Sequence, residues 1–490
     1  MLRVEVKSIA PPYNKHKTTR RDILSSSSTL SGLHILQKNN SRSARYCAAK
    51  ILSSLVKNQA PVKPVFDRVV GRFDLPSNER NLTMQLVYGV LRKRQFIDRM
   101  LAILSRTPIR KMDLYIHQTL AVGLYQIFFL DRIPDSAAVN EAVESCKVAK
   151  IHKRLHGFVN GILRQALRTK EELEKKSQTN NKGQEILNHP EWLTDRWQNN
   201  FGQEATTAMC RHNNQEPILS LRVNTTRIDK SEFMKLLAEE SIAARVGHYA
   251  KDAIVLPEFS GAITTLPGYQ EGYFQVQDEA AQLATGLLAP FVLGGNYLDG
   301  CAGLGGKTSH ILQETAKLQI HVHAVDPEPF RLQKLNENME RLFTSPPLTI
   351  HQVSLLDVTT TTVPLFDGIL IDAPCSGTGV IGRHPDIRWN RTVDDLKHYH
   401  NEQLALLSHA ATLVKTGGIL VYATCSLEPE ENTEVIELFL QNQPQFELTD
   451  CSPFLPEAAR DLVKEGFFHP LPSPSIDGFF AARLRKKNDA

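Results

Sequence analysis

Two cysteines stand where short apolar runs end: Cys375 in Asp372-Ala373-Pro374-Cys375-Ser376, and Cys425 in Thr424-Cys425-Ser426. A thiolate attacks electron-poor carbon well and can later be expelled, so a thiol pair suits chemistry that makes and then breaks a covalent bond to substrate. A free cysteine is more often a small hydrophobe, so the neighbouring motifs have to decide. Upstream lies LDGCAGLGGKTS, Leu298 to Ser309. Its end resembles a triphosphate-binding loop, but the required first glycine falls on Cys301. The dinucleotide pattern G-x-G-x-x-G fails as well, because Gly303 and Gly305 are followed by Thr308.

A glycine turn without a phosphate code leaves room for an adenosine ligand that carries no phosphate. S-adenosylmethionine is such a ligand. Four acids mark what read as strand ends: Asp299 before the turn, Asp326 about twenty residues beyond it, then Asp357 and Asp372. A carboxylate at the position of Asp326 commonly accepts hydrogen bonds from ribose hydroxyls. Carbon 5 of cytosine is a poor nucleophile until carbon 6 has been attacked, and a thiolate is a natural attacking group. Two strand-end thiols beside a methyl donor therefore point to methyl transfer onto a pyrimidine carbon.

The elements that must position these residues follow from texture. Residues 41–170 show apolar residues at three- and four-residue spacing, as in ARYCAAKILSSLV and HQTLAVGLYQIFFL, which predicts a helical bundle. Residues 171–188, rich in charge and poor in apolar side chains, read as a linker. Residues 189–285 read as a small α/β module. From 286 to 488, apolar strands alternate with amphipathic helices, the pattern of a Rossmann-like parallel sheet covered on both faces. Residues 1–40 read as a disordered basic tail.

The 490 residues carry a net charge of only +4, unevenly spread. Residues 41–170 hold 23 Lys/Arg against nine Asp/Glu, a balance that suits a polyanionic partner. Seven scattered cysteines without a C-x-x-C pair argue against a disulfide framework or a zinc site, and place the chain in a reducing compartment. No apolar run is long enough to span a bilayer. The stretch IGRHPDIRWNR after Cys375 offers Arg383, His384, Arg388, Trp389 and Arg391, which could stack and neutralise single-stranded RNA or simply pack.

The segments DGCAGLGGKT, AVD, DAPCSGTGVIGRHPDIRW and YATCSLEPEEN closely resemble the motifs of RNA cytosine-C5 methyltransferases. LAVGLYQIFFLDRIPDSAAVNEAVESCK and HGFVNGILRQAL are similar to a NusB-like RNA-binding domain, and the pairing resembles the small-subunit (16S) ribosomal RNA methyltransferase B family. The resemblance spans Ser41 to Arg485. It implies S-adenosylmethionine as cofactor, held by Cys301, Ala302, Gly303, Leu304, Gly305, Gly306, Lys307, Asp326, Asp357 and Asp372. It further implies Cys425 as nucleophile, Cys375 as the group assisting release, and Asp372 near the pyrimidine ring. Gly303-Leu304 stands where the family usually has Ala-Pro, which removes a fixed φ from the turn.

The expected partner is small-subunit ribosomal RNA, with no metal and no membrane, for a cytoplasmic monomer. A fragment lacking residues 1–170 is expected to keep the chemistry and lose RNA affinity. Other readings are the same reaction on transfer RNA or another ribosomal site, and a non-catalytic RNA-binding assembly factor. An NTP-driven remodeller is weakened by the loop spacing.

Overall fold

The computed structural model describes residues 43–58, 60–181 and 183–488. The basic tail expected over 1–40 lies outside the described residues. The helical part begins with α1 (Ala44–Asn58), α2 (Val62–Phe73), α3 (Ser77–Arg92) and α4 (Arg94–Leu104). It continues with α5 (Leu114–Phe129), α6 (Asp135–Val148), α7 (Lys153–Arg168) and α8 (Lys170–Ser177). α5 is apolar on all sides and is buried from Ile116 to Ile127, as expected of a central helix in a bundle. Around it pack Ile51, Leu52, Leu86, Ile97, Val139 and Leu163.

The stretch read as a linker is partly ordered. α8 continues the bundle because its single apolar residue, Leu173, is 2% exposed within the helical core. One well-placed anchor outweighs the polar texture around it. The chain then turns through an antiparallel bridge, Thr179 to Glu185, and enters α9 (Glu191–Asn213), which kinks at Gly202, φ 83°.

The small module is β1 (Leu219–Val223), α10 (Lys230–Glu239), β2 (Arg245–Val246), β3 (Ala253–Leu256) and β4 (Phe274–Val276). Its strands form an antiparallel sheet in the order β2-β3-β1-β4. Phe233 and Leu237 of α10 pack on Leu221, Val223 and Phe274 of the sheet.

After α11 (Glu279–Gly286) come β5 (Asn296–Asp299), α12 (Gly306–Glu314), β6 (His321–Val325), α13 (Pro329–Leu342), β7 (Leu348–His351) and β8 (Phe366–Asp372). Then follow α14 (Ile387–Asn390), α15 (Val393–Ala411), β9 (Val414–Thr424), α16 (Thr433–Asn442), β10 (Phe446–Thr449), β11 (Val463–Lys464), β12 (Phe467–Phe468) and β13 (Phe480–Lys486). The sheet runs β11-β12-β13-β9-β8-β5-β6-β7, with β10 on β13. β7, β6, β5, β8 and β9 are parallel, and β13 is antiparallel to β9. Strands buried on both faces read as continuous apolar runs, as ILI in β8 and ILVYA in β9 do. The fold class expected from the sequence is the one found.

The loop 381–391 departs from one expectation. Arg388 is buried, Arg383, Trp389 and Arg391 are half-buried against other parts of the protein, and His384 alone of these groups is exposed. Arg388 is 1% exposed and donates to the Asn188 carbonyl at 2.9 Å, the Asn213 carbonyl at 2.8 Å and Asn214 Oδ1 at 2.7 Å. Trp389 Nε1 donates to the Leu91 carbonyl at 2.9 Å, with Arg94 5.1 Å over its ring. Asp386 accepts the Val62 N–H at 3.1 Å, and Asn390 donates to the Ala60 carbonyl at 3.1 Å. Arg383 pairs with Asp278 at 2.9 Å and Asp477 at 2.5 Å. Buried polar groups persist only with partners, and here those partners come from the other parts of the chain.

The expected independence of a fragment lacking residues 1–170 therefore does not follow. Such a cut strips Trp389 and Asn390 of their acceptors and uncovers an apolar face. Trp389→Ala should lower the thermal midpoint by several degrees, at a cost of about 2 kcal/mol from lost packing and one orphaned carbonyl. It should also speed proteolysis between residues 178 and 188. An unchanged midpoint and cleavage rate would contradict this docking.

Candidate functional site

Chain order reverses between β5 and β8. The chain passes outward from β5 through β6 to β7, then returns to place β8 on the other side of β5. Such a switch point opens a crevice at the carboxyl ends of the two strands. Asp299 ends β5 and Asp372 ends β8, with Asp299 in register with Leu370. In that crevice Lys307 Nζ lies 2.7 Å from Asp372 Oδ2 and 5.3 Å over the Phe479 ring.

The glycine turn wraps back over β5. Gly300 N donates to the Leu370 carbonyl at 2.9 Å and Ala302 N to the Val325 carbonyl at 2.9 Å, which pins the turn to β8 and β6. Gly305 adopts φ 84°, and a Cβ there would sit 2.9 Å from both Leu335 and Met339 of α13. Only glycine satisfies both the left-handed backbone and the close helix. Where the proline is missing, Asn338 Nδ2 donates to the Leu304 carbonyl at 2.9 Å and holds the turn instead.

Asp299 is wholly buried. Its Oδ2 accepts from Thr308 Oγ1 at 2.7 Å, while Oδ1 has no protein partner. Burial pushes its carboxyl up to about 6. An unpartnered buried acceptor on a cleft wall suits a cationic donor group supplied by a ligand. The cleft, about 360 Å³, is lined by Asp299, Cys301, Ala302, Gly303, Leu304, Gly306, Lys307 and Asp372, with Asp278, Arg383 and Asp477 across from them.

Cys375 and Cys425 are half-buried, and their Sγ atoms are 3.3 Å apart. β8 and β9 pair in parallel, with Asp372 opposite Ala423, so the two loops leave the sheet side by side. The Cys425 thiol, burial and the nearby Glu431 and Asp372 charges raise the Cys375 pKa well above its ordinary value, which keeps that group a thiol. Cys301 packs against the apolar core, where burial and Asp299 raise its pKa too. It is a wall residue, remote from the sulfur pair in role.

Two of the acids singled out from sequence sit differently from the rest. Asp326 is 3% exposed beneath the turn, accepting the Gly303 N–H at 3.0 Å and the Glu328 N–H at 2.9 Å, with Arg331 3.5 Å away. It shapes the cradle with both oxygens, leaving lone pairs for a further donor. Asp357 does not end a strand. β7 stops at His351, and Asp357 stands exposed at the close of a 3₁₀ turn (Leu355–Asp357), because Ser354 caps that turn.

Sequence reasoning left Glu431, Ser376 and Ser426 without roles, and took Asp299 only as one of four strand-end acids. The signal for the serines was present, since each directly follows a cysteine, but neither spacing nor composition ties Glu431 to them. Away from the cleft, Asp252, His310 and Glu314 gather within 4.8 Å of one another among the described residues. Gln313 at 2.8 Å and Lys251 at 2.7 Å already answer the two carboxylates.

Comparison with known proteins agrees with this architecture. The family described as 16S rRNA methyltransferase RsmB/F matches residues 288–485, the NusB family matches 42–168, and the ferredoxin-like domain of RsmF/B-like methyltransferases matches 189–261. The chain is 36% identical over 459 residues to the probable ribosomal RNA small subunit methyltransferase B of Bacillus subtilis, covering 91% of this chain and 99% of that one. It is 36% identical over 453 residues to the ribosomal RNA small subunit methyltransferase B of Pseudomonas putida, covering 90% and 98%. A solved methyltransferase homologue from Pyrococcus horikoshii superimposes with a TM-score of 0.51 at 30% identity, over 61% of this chain and 96% of its own. The helical bundle, the small antiparallel module and the sheet with its glycine turn thus each have a counterpart, and the chain belongs to the RsmB/F family of 16S rRNA methyltransferases.

Proposed function

We propose that the protein methylates carbon 5 of a cytosine in small-subunit ribosomal RNA, in the cytoplasm, using S-adenosylmethionine. The observation that carries the reading is the thiol pair, 3.3 Å apart at adjacent strand ends, beside a cleft without a phosphate-binding code. Asp299, with its open oxygen, and Asp372 would face the cationic amino-acid end of the donor. Asp326 beneath the turn would face the ribose, and Gly303 to Lys307 would form the cradle. Asp357, exposed on its turn, would close the adenosine side. When bound, the donor supplies an electrophilic methyl group.

Cys425, as thiolate, adds to carbon 6 of the base, which turns carbon 5 into a nucleophile. A bound donor would give up its methyl group to carbon 5 and leave as a neutral thioether; a base then removes the carbon-5 proton, and elimination restores the ring and frees the Cys425 sulfur. Cys375, held as a thiol within contact of that sulfur, is placed to assist the departure. Asp372 lies near the ring with Lys307 beside it. The target base must leave its stack to reach sulfurs half-buried at the sheet edge. The helical domain, with its excess of Lys/Arg, supplies phosphate contacts.

The assignment of roles makes an asymmetric prediction. Cys375→Ala, incubated with substrate RNA and donor, should accumulate a protein–RNA adduct that survives denaturing electrophoresis. Cys425→Ala should form none and should turn over undetectably, with donor affinity within twofold of wild type. An adduct in Cys425→Ala alone would reverse the two roles.

A second prediction concerns Asp299. Loss of one charge-assisted hydrogen bond costs about 1.5–3 kcal/mol, so Asp299→Asn should weaken donor binding by roughly 10- to 100-fold in calorimetry. Because burial raises this carboxyl to about 6, wild-type affinity for the cationic donor should fall as pH drops through 6. The variant should bind weakly at every pH. Stability runs the other way. A raised carboxyl favours the folded state at low pH, so the wild type should lose stability relative to Asp299→Asn as pH rises from about 4 to 6. Equal donor affinity in both proteins at pH 7.5 would remove Asp299 from the donor site.

A further inference from the structure

Glu431 is wholly buried behind the two thiols. Its Oε2 accepts from the Ser376 N–H at 2.8 Å and from Gln403 Nε2 at 3.0 Å. Its Oε1 accepts from Ser426 Oγ at 2.7 Å and from Ser376 Oγ. The two serines are the residues directly after Cys375 and Cys425, and their hydroxyl oxygens lie 3.1 Å apart. Gln403 also donates to the Pro374 carbonyl at 2.9 Å, just before Cys375. On the other side, Asn432 Nδ2 donates to the Ser426 carbonyl at 2.9 Å. One carboxylate therefore gathers donors from both thiol-bearing loops.

The location of this bracket matters because the sheet ladder stops short of the sulfurs. The last ladder bond between the two strands runs from Ala373 N to the Ala423 carbonyl at 2.9 Å. Past that point, Gly379 N donates to the Cys425 carbonyl at 2.9 Å and Leu427 N to Thr378 Oγ1 at 2.9 Å, while Glu431 ties together the two residues directly after the sulfurs. A buried carboxylate is costly to desolvate unless its lone pairs are filled. Here the donors that fill them come from Gln403 and from the two residues whose neighbours carry sulfur. A carboxylate that served only to cap a helix or fill a core would not need to reach both loops.

We propose that Glu431 is a positioning residue which, through Ser376 and Ser426, sets the separation and orientation of Cys375 and Cys425. The proposal rests on the thiol chemistry proposed above. It assigns Glu431 no contact with RNA or donor. Burial raises the Glu431 carboxyl pKa, and the hydrogen bonds from Ser376, Ser426 and Gln403 offset part of that rise. In its ionised form it disfavours a thiolate at Cys375, consistent with that group staying protonated while Cys425 attacks.

The test uses a ruler that does not depend on methylation. Diamide, an azo oxidant that takes two electrons and two protons from a thiol pair, should join Cys375 to Cys425 rapidly in the full-length wild type. Peptide mass mapping would follow that bond. Glu431→Gln should slow formation of this disulfide at least tenfold. It should lower kcat at least tenfold with KM for RNA and donor Kd within twofold, a split that general loss of stability would not give. If Glu431→Gln fails to fold, Ser426→Ala serves: it removes one arm of the bracket and should slow the disulfide about threefold. Wild-type disulfide rates in a folded Glu431→Gln protein, or in Ser426→Ala, would overturn the proposal. Slowed disulfide formation in a protein that methylates no cytosine would uphold the bracket and refute the proposed reaction.

Discussion

The parallel pairing of β8 with β9 is the constraint on which the site depends. Parallel strands all end at the same edge of a sheet, so any residues just past their carboxyl ends become neighbours. With Asp372 opposite Ala423, three further residues on one strand and two on the other bring sulfur against sulfur. The reversal of order next to β5 adds the glycine turn to that same edge. A register slip between these strands would move the two sulfurs apart and turn alternate side chains to the opposite face. The apolar strength of β8 and β9, buried on both faces, is thus what holds two polar loops in chemical contact.

Around that edge buried guanidinium groups help to join the parts of the chain. Arg388 binds the carbonyls of Asn188 and Asn213. Arg222 of the small module donates to the Gly306 carbonyl at 2.9 Å and to Ser309 Oγ at 2.7 Å, reaching the glycine turn itself. Burial lowers the pKa of both to about 9, a measure of how far they are removed from water. A forked cation can satisfy several carbonyls at once and fixes the angle between the parts it joins. The helical bundle is tied to the loop that follows Cys375 by Trp389 on the Leu91 carbonyl, Asp386 on the Val62 N–H and Arg92 on the Gly382 carbonyl. Arg391 Nε, at the end of that loop, donates to the Ser376 carbonyl at 3.0 Å. The contacts of the bundle and the geometry at the thiols share one short segment of chain.

Much of this was legible in the residues. The three- and four-residue apolar spacing over 41–170 and the alternation of apolar strands with amphipathic helices follow from local period, and both patterns appear as expected. The cysteines were legible because each ends an apolar run. Less legible were the features set by tertiary partners. IGRHPDIRWNR looks like an RNA-binding loop, since composition cannot tell a solvated arginine from one whose carbonyl partners lie some 200 residues away. EELEKKS looks like a linker, yet one leucine decides that it is a helix. Asp357 was misplaced because a serine-capped 3₁₀ turn extends the chain beyond the strand. Glu431 was invisible as a bracket, because its donors come from loops that only the sheet brings together.

The central claim is that Cys425 forms the bond to the base, with proton removal from carbon 5 preceding its release. RNA in which the target cytosine carries fluorine at carbon 5 tests this in the wild-type protein, because no proton is there to be removed. With S-adenosylmethionine present, the account predicts a stable protein–RNA complex whose peptide map shows the nucleotide on Cys425. No covalent complex, or a nucleotide attached to Cys375, would contradict it.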